Sequence, residues 1–273
     1  MLSCVFFVLA IVAAAGYVIV QSTPETRDRI AAKITKPVPA LSMAAACLAC
    51  CASLRVKPKT VVIGGVAHCR RALCQVDIWC VLFAAAFLAF AAGDALLMVH
   101  AHAAASAAGV VAFALGQLLI LAALCSPREA GEPRPRLASL SIATAYAAAA
   151  FVLCLGGVML LEAACGGASA SAVAALAIYL LVEVAVAFRS VDVMLWALAP
   201  PGSWLLVAGA HLFIASDVVV GLRMLCGVPA DAAAYYALAM TTYYSAIMLE
   251  ARGVTKFAIS SDYASSQSED FAI

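Results

Sequence analysis

Three carboxylates, Asp94, Glu183 and Asp217, stand inside long stretches of the chain that otherwise carry no charge. A carboxylate in such a setting is first of all a reagent: one of a pair can give a proton while the other takes one from water. Two of the three sit in a repeated pattern. Phe90-Ala91-Ala92-Gly93-Asp94-Ala95-Leu96-Leu97 lines up with Phe213-Ile214-Ala215-Ser216-Asp217-Val218-Val219-Val220, each an aromatic, then small residues, then Asp, then an apolar run. Two carboxylates held close together do not both ionise easily, so they titrate as a unit. The repeat therefore singles out Asp94 and Asp217 as a general acid and a water-activating base. The plainer reading is a pair of buried acids satisfied by hydrogen bonds and needed only for folding.

The elements that must position these residues follow from composition. Of the 273 residues 66% are hydrophobic and 11% charged, with a mean hydropathy of +1.07. Soluble domains sit near ~45–50% apolar and ~25% charged, so a single soluble core cannot bury this chain. A net charge of +1 provides no basic field for nucleic acid. A bilayer core takes about 20 apolar helical residues to cross, and irregular backbone cannot face lipid. Eight spans are predicted: Leu2–Val20, Pro37–Leu54, Ile78–Val99, Ala103–Cys125, Leu137–Leu161, Ser171–Phe188, Trp204–Leu225 and Ala232–Leu249. The first span is read as a membrane helix rather than a signal peptide, because no Lys or Arg precedes it. At ~1.5 Å per residue, Asp94 lies about 24 Å along its helix from Ile78, and Asp217 about 20 Å from Trp204. An even number of spans separates them, so the two helices run parallel and the carboxylates lie at similar depth. Placing Asp at a helix centre costs about 2.5–3.5 kcal/mol, and small neighbours such as Gly93 and Gly209 permit close helix approach.

The fold class that results is all-α: a polytopic membrane protein with eight transmembrane helices arranged as two parallel four-helix halves. One transmembrane domain covers residues 1–251, and a Ser- and acid-rich tail, 252–273, reads as disordered. Orientation follows the basic residues. Arg55, Lys57, Lys59, Arg70, Arg71, Arg128, Arg134, Arg136, Arg189, Arg252 and Lys256 fall on one side, and Arg27, Arg29, Lys33, Lys36 and Arg223 on the other. The larger set places both termini in the cytoplasm.

These features resemble the YhhN family of membrane proteins, which includes lysoplasmalogenases. The resemblance rests on Lys36-Pro37 opening the second helix and Gly93-Asp94 in the third. It continues through Gly109 and Phe113 in the fourth, Ala208-Gly209-Ala210, Phe213 and Ser216-Asp217 in the seventh, and Thr242-Tyr243-Tyr244 in the last. It implies hydrolysis of the vinyl-ether bond of a lysoplasmalogen to a fatty aldehyde and a glycerophospho-base, in the endoplasmic reticulum or another endomembrane. Such a bond is cleaved by protonating its alkene carbon and adding water to the oxocarbenium ion, chemistry that two carboxylates can perform without a metal or cofactor. The expected partners are a lysophospholipid substrate and membrane lipids. The chain departs from the family pattern at Gln117, where the family carries His, at Ile120, where it carries an aromatic, and at Ile247, where it carries Gln. Gln117 can still make hydrogen bonds but cannot titrate.

Further candidates surround this pair. Lys36 is read as a contact for the lipid phosphate or as an ordinary snorkelling lysine. Glu183 is read as a ligand for the substrate amine or as a partnered packing residue. Gln117, Tyr243 and Tyr244 are read as substrate-binding, the tyrosines through hydrogen bonds to the dyad or to glycerol. His211, about 120° around the helix from Asp217, reads as a packing residue, and His100 and His102 as a weak metal or headgroup signal. Cys47, Cys50 and Cys51 read as buried small hydrophobes, Cys165 and Cys226 as a candidate disulfide, and Cys4 as a possible acylation site. No nucleotide-binding or metallohydrolase motif is present. Two other functions fit two intramembrane acids: an intramembrane aspartyl protease, and a proton-coupled transporter or lipid-binding membrane protein.

Overall fold

The computed structural model describes residues 2–22, 36–55, 66–98, 103–126, 170–195, 202–225 and 233–270, with helical residues at 141–142, 144–146, 148–149 and 152. The described residues form helices: α1 Leu2–Ser22, α2 Val38–Arg55, α3 Val66–Leu97, α4 Ala103–Cys125, α5 Ala170–Met194, α6 Ser203–Leu225 and α7 Ala233–Asp270. The helical residues between 141 and 152 mark an eighth, where the fifth span is expected. Among the described residues three segments are long and apolar enough to cross a membrane: Ile78–Leu97, Ala104–Cys125 and Ser203–Gly221. Shorter apolar helices cover Val5–Val18 and Val38–Ser53. Asp94 and Asp217 lie inside the first and third of the long segments.

Polar and apolar residues are distributed inside out relative to a soluble protein. Lys36, Asp94, Gln117, Glu183 and Glu250 are buried, while Val8, Val12, Leu41, Leu88, Val111, Leu115, Ile178 and Leu238 face outward. An outer surface of this kind is stable against lipid.

Chain neighbours pack in a circuit, α1 on α2, α2 on α3, α3 on α4, α4 on α5, α5 on α6 and α6 on α7. The last helix closes it, packing also on α1, α2 and α3. The expected pair of four-helix halves is not marked by these contacts, which run around the circuit and converge on the last helix. Small residues set the crossings. A Cβ on Gly93 would meet the Phe113 ring at 2.6 Å and the Gly109 carbonyl at 3.1 Å, so α3 and α4 approach backbone to backbone. A Cβ on Gly209 would lie 2.9 Å from the Ala246 carbonyl, which brings α6 equally near α7. At the end of α4, Arg189 of α5 donates to the free Leu124 carbonyl at 3.1 Å while also pairing with Asp192.

Three boundaries differ from expectation: the span read as Ser171–Phe188 continues as α5 to Met194. The third helix begins at Val66, so part of the segment read as a loop is helical. The last continues to Asp270, so most of the tail expected to be disordered is helical too. Packing accounts for the nearer part of this extension: Ala251, Val254, Thr255 and Ala258 are buried, and the Phe257 ring lies 4.8 Å from that of Trp79.

Candidate active site

The repeated motif assembles the site through its aromatic residues. Phe90 and Phe213 each stand one helical turn before an Asp, on the same face of their helices. Their rings meet with centroids 5.0 Å apart. The backbones of α3 and α6 are not among the closely packed pairs, so the two helices face each other across this ring contact. Phe113 stacks on Phe90 at 5.6 Å, and Tyr243 packs edge-on against both Phe113 and Phe213, at 5.8 and 5.6 Å. The result is an aromatic floor contributed by α3, α4, α6 and α7.

Asp94 rises from this floor on one side and is 1% exposed. The Lys36 ammonium lies 3.2 Å from its Oδ1, and the Tyr243 hydroxyl donates to its Oδ2 at 3.0 Å. Tyr244 donates to the Lys36 backbone carbonyl at 3.2 Å, which fixes the start of α2 against α7. Lys36, read as a phosphate contact at the membrane edge, is instead buried against Asp94. An ammonium withdrawn from water needs an anion beside it, and Asp94 supplies one. The consecutive tyrosines divide the task, one holding the carboxylate and the other holding the residue that pairs with it.

Asp217 has different company. The Tyr179 hydroxyl donates to its Oδ2, and Glu183, one turn along α5 from Tyr179, brings a second carboxyl group into contact with it. Both Glu183 oxygens are buried without a hydrogen-bond partner among the described residues. Asp94 and Asp217 act on each other electrostatically, with Tyr243 close to both. The acid in contact with Asp217 is therefore Glu183, while Asp94 is in contact with a cation. Ser216, just before Asp217, donates to the Ala239 carbonyl at 2.9 Å and ties α6 to α7.

The remaining candidates fall outside this group or outside the described residues. Gln117 is buried, and its Oε1 has no hydrogen-bond partner among the described residues. The His211 Nδ1 donates to the Val207 carbonyl at 2.7 Å, and its Nε2 lies 2.8 Å from the Tyr146 hydroxyl, an exposed arrangement away from the carboxylates. Cys47, Cys50 and Cys51 are buried, and the Cys50 thiol donates to the Thr255 carbonyl. His100, His102, Cys165 and Cys226 lie outside the described residues, as does the Cys4 side chain. Among the described residues no group of three or more His, Cys, Asp or Glu can hold a metal ion.

Two residues escaped the sequence reading. Tyr179 carries no charge and sits among apolar neighbours, so nothing in the sequence separates it from a lipid-facing tyrosine. Glu250 falls one residue past the predicted last span and passes for a boundary charge, yet it is buried, with neither oxygen hydrogen-bonded among the described residues.

A helical bundle that turns apolar side chains outward and gathers acids, a lysine and tyrosines inside is the architecture of a membrane protein with an internal polar site. The chain belongs to the YhhN family, whose model matches residues 32–254, a family that includes lysoplasmalogenases. No curated protein and no solved structure matches it.

Proposed function

We propose that the chain is a multi-pass membrane hydrolase of the lysoplasmalogenase type, cleaving the vinyl-ether bond of lysoplasmenyl-ethanolamine or lysoplasmenyl-choline. The observation that carries this reading is the division of the carboxylates into two unlike sets on one aromatic floor. Asp94, held by the Lys36 ammonium and the Tyr243 hydroxyl, is arranged as an anion and suits the base. Asp217 has a second carboxyl group, Glu183, beside it; two carboxyl groups so close keep one proton between them, and that pair suits the acid.

The reaction runs as follows. Asp217 protonates the alkene carbon of the vinyl ether, and the resulting oxocarbenium ion forms between carboxylates that stabilise it. Asp94 takes a proton from water as it adds. The hemiacetal then collapses to aldehyde and glycerophospho-base. The aromatic floor excludes bulk water from the cation, and a single acyl-like chain can lie against its rings.

Eight spans, cytoplasmic termini and residence in the endoplasmic reticulum or another endomembrane complete the proposal. They are supported by the distribution of basic residues and by the family. The test is aldehyde release by purified protein in detergent from both lysoplasmalogens, with a diacyl phospholipid as control. Aldehyde from the vinyl ethers alone is expected; none from either lysoplasmalogen would overturn the reading. Release without a membrane gradient also separates hydrolysis from transport as the sole function, and cleavage of a helical peptide would favour a protease.

A further inference from the structure

We propose that Asp94 and Asp217 stand at the bottom of a vestibule open at the end of the bundle where α3 and α6 finish, and that it receives lysophospholipid from the leaflet on that side. The choice of lipid rests on the hydrolase reading; the open end does not.

The contacts set the directions of the helices. α7 meets α3 through Tyr243 at Asp94 and through Phe257 at Trp79. It meets α6 through Ala239 at Ser216 and through Ala246 at Gly209. Both α3 and α6 are therefore antiparallel to α7 and run the same way. The Met98 amide donates to the Asp94 carbonyl at 3.2 Å, which places Asp94 in the final turn of α3. Within the apolar segments Asp94 lies about 5 Å from Leu97 and Asp217 about 6 Å from Gly221, while Trp79 is about 22 Å from Asp94. In a bilayer core about 30 Å thick the site belongs to one leaflet.

Packing differs between the two ends. At the far end Trp79 of α3, Leu124 of α4, Val193 of α5, Leu206 of α6 and Val254 of α7 are buried. The continuation of α7 packs across that end. Phe257 lies on Trp79, the Cys50 thiol donates to the Thr255 carbonyl at 3.9 Å, Arg252 stands 5.7 Å from the Phe7 ring centre, and a Cβ on Gly253 would meet Leu206 at 2.8 Å. Beyond the aromatic floor the pattern reverses. None of residues 95–98 of α3, 104–108 of α4, 177–180 of α5 or 217–221 of α6 is buried. Each stretch is at least a full helical turn, so it includes the side turned toward the bundle. Asp217 and Tyr179 are themselves half-buried, whereas Phe213, one turn deeper on α6, is buried. The α1 side stays closed: Tyr17 is buried against the rings of Tyr236 and Tyr244, with centroids 6.2 and 6.0 Å away. The opening is thus bounded by α3, α4, α5 and α6.

Depth selects the lipid. In a lysoplasmalogen only the glycerol backbone separates the vinyl ether from the phosphate, so the bond lies just beneath the interface of its own leaflet. Acids one turn below a helix end meet it there with the headgroup still in water. A lipid of the opposite leaflet would have to carry its charged headgroup through the apolar core, past the packed end. With the termini cytoplasmic, as proposed, the leaflet served is the non-cytoplasmic one.

The test uses the full chain in sealed phosphatidylcholine vesicles, sorted through a C-terminal affinity tag into tag-out and tag-in populations. Lysoplasmenyl-choline is added outside, below its lytic concentration. Tag-in vesicles, whose open end faces outward, should release aldehyde at least about ten-fold faster than tag-out vesicles, and detergent should bring both to one rate. Equal initial rates in intact vesicles, or faster release by tag-out vesicles, would overturn the assignment of the leaflet. A second measurement does not depend on activity. Val220 lies on the Asp217 side of α6, one turn nearer the open end, and is half-exposed; Val111 faces outward from α4. Maleimides react with thiolates, which form in water and not in lipid. A membrane-impermeant maleimide should therefore label Val220→Cys from the side opposite the tag and leave Val111→Cys unlabelled, as read by peptide mass spectrometry. Protection of residue 220 from both sides, or equal labelling of both positions, would overturn the vestibule. Absence of aldehyde from the wild type even in detergent would defeat the hydrolase reading, and the labelling would then decide the open end by itself.

Discussion

Asp94 and Asp217 occupy equivalent places in a repeated motif, but their surroundings are opposite. Around Asp94 the charge is balanced: an ammonium on one oxygen, a tyrosine hydroxyl on the other. Around Asp217 it is unbalanced: a tyrosine hydroxyl, a second carboxyl group in contact and a third nearby through Glu183. The local motif places both acids one turn beyond the same ring contact, and residues from other helices then make them different. The repeat supplies a pair; α2 and α5 supply the asymmetry that acid–base chemistry needs.

The comparison breaks most severely if the acids themselves are neutralised. Asp94→Asn and Asp217→Asn should each lower aldehyde release by about a hundred-fold or more, with expression unchanged. Wild-type turnover in either purified variant would end the assignment of both roles. Next in size is removal of the cation. Lys36→Met leaves Asp94 buried without its partner and should destabilise the protein by about 3–5 kcal/mol, read as the unfolding midpoint in detergent. The double variant Lys36→Met with Asp94→Asn should recover part of that loss, a recovery with no counterpart on the Asp217 side.

A smaller effect comes from Tyr243→Phe, which deletes one hydrogen bond to a charged group and keeps the ring in the aromatic floor. Turnover should fall roughly ten-fold to a hundred-fold, with the midpoint less affected than in Lys36→Met. The smallest belongs to the unbalanced side. Glu183→Gln removes a carboxyl group that no cation holds among the described residues, and should change stability by less than about 1 kcal/mol. A loss as large as that of Lys36→Met would show that an unseen cation balances Glu183, and the contrast between the two sides would disappear.

The legible features of this site were those that stand out against an apolar background. Asp94, Glu183 and Asp217 were conspicuous because charge is scarce, and the fourth helix has the predicted limits, Ala103–Cys125, because its apolar run is uninterrupted. The Tyr243 contact with Asp94 followed from reading the tyrosine pair as partners of the acids. The pairing itself was not legible. Repetition suggested that the two aspartates touch each other, but nothing local indicates that Lys36 reaches Asp94 from another helix. Nor does anything indicate that Glu183 reaches Asp217 from α5. The extension of α7 was hidden for a similar reason: its polar composition reads as a tail, and the small buried face of Ala251, Val254 and Ala258 acquires meaning only against its neighbours.

The central place of α7 also sets an order of assembly. It leaves the ribosome after α1 to α6, yet it provides the hydroxyl on Asp94, the contact that fixes Lys36 and the helix that joins both ends of the circuit. Until it docks, Asp94 lacks the Tyr243 hydroxyl and Lys36 lacks the contact that fixes it. Docking of α7 therefore closes the circuit and completes the surroundings of Asp94 in one step.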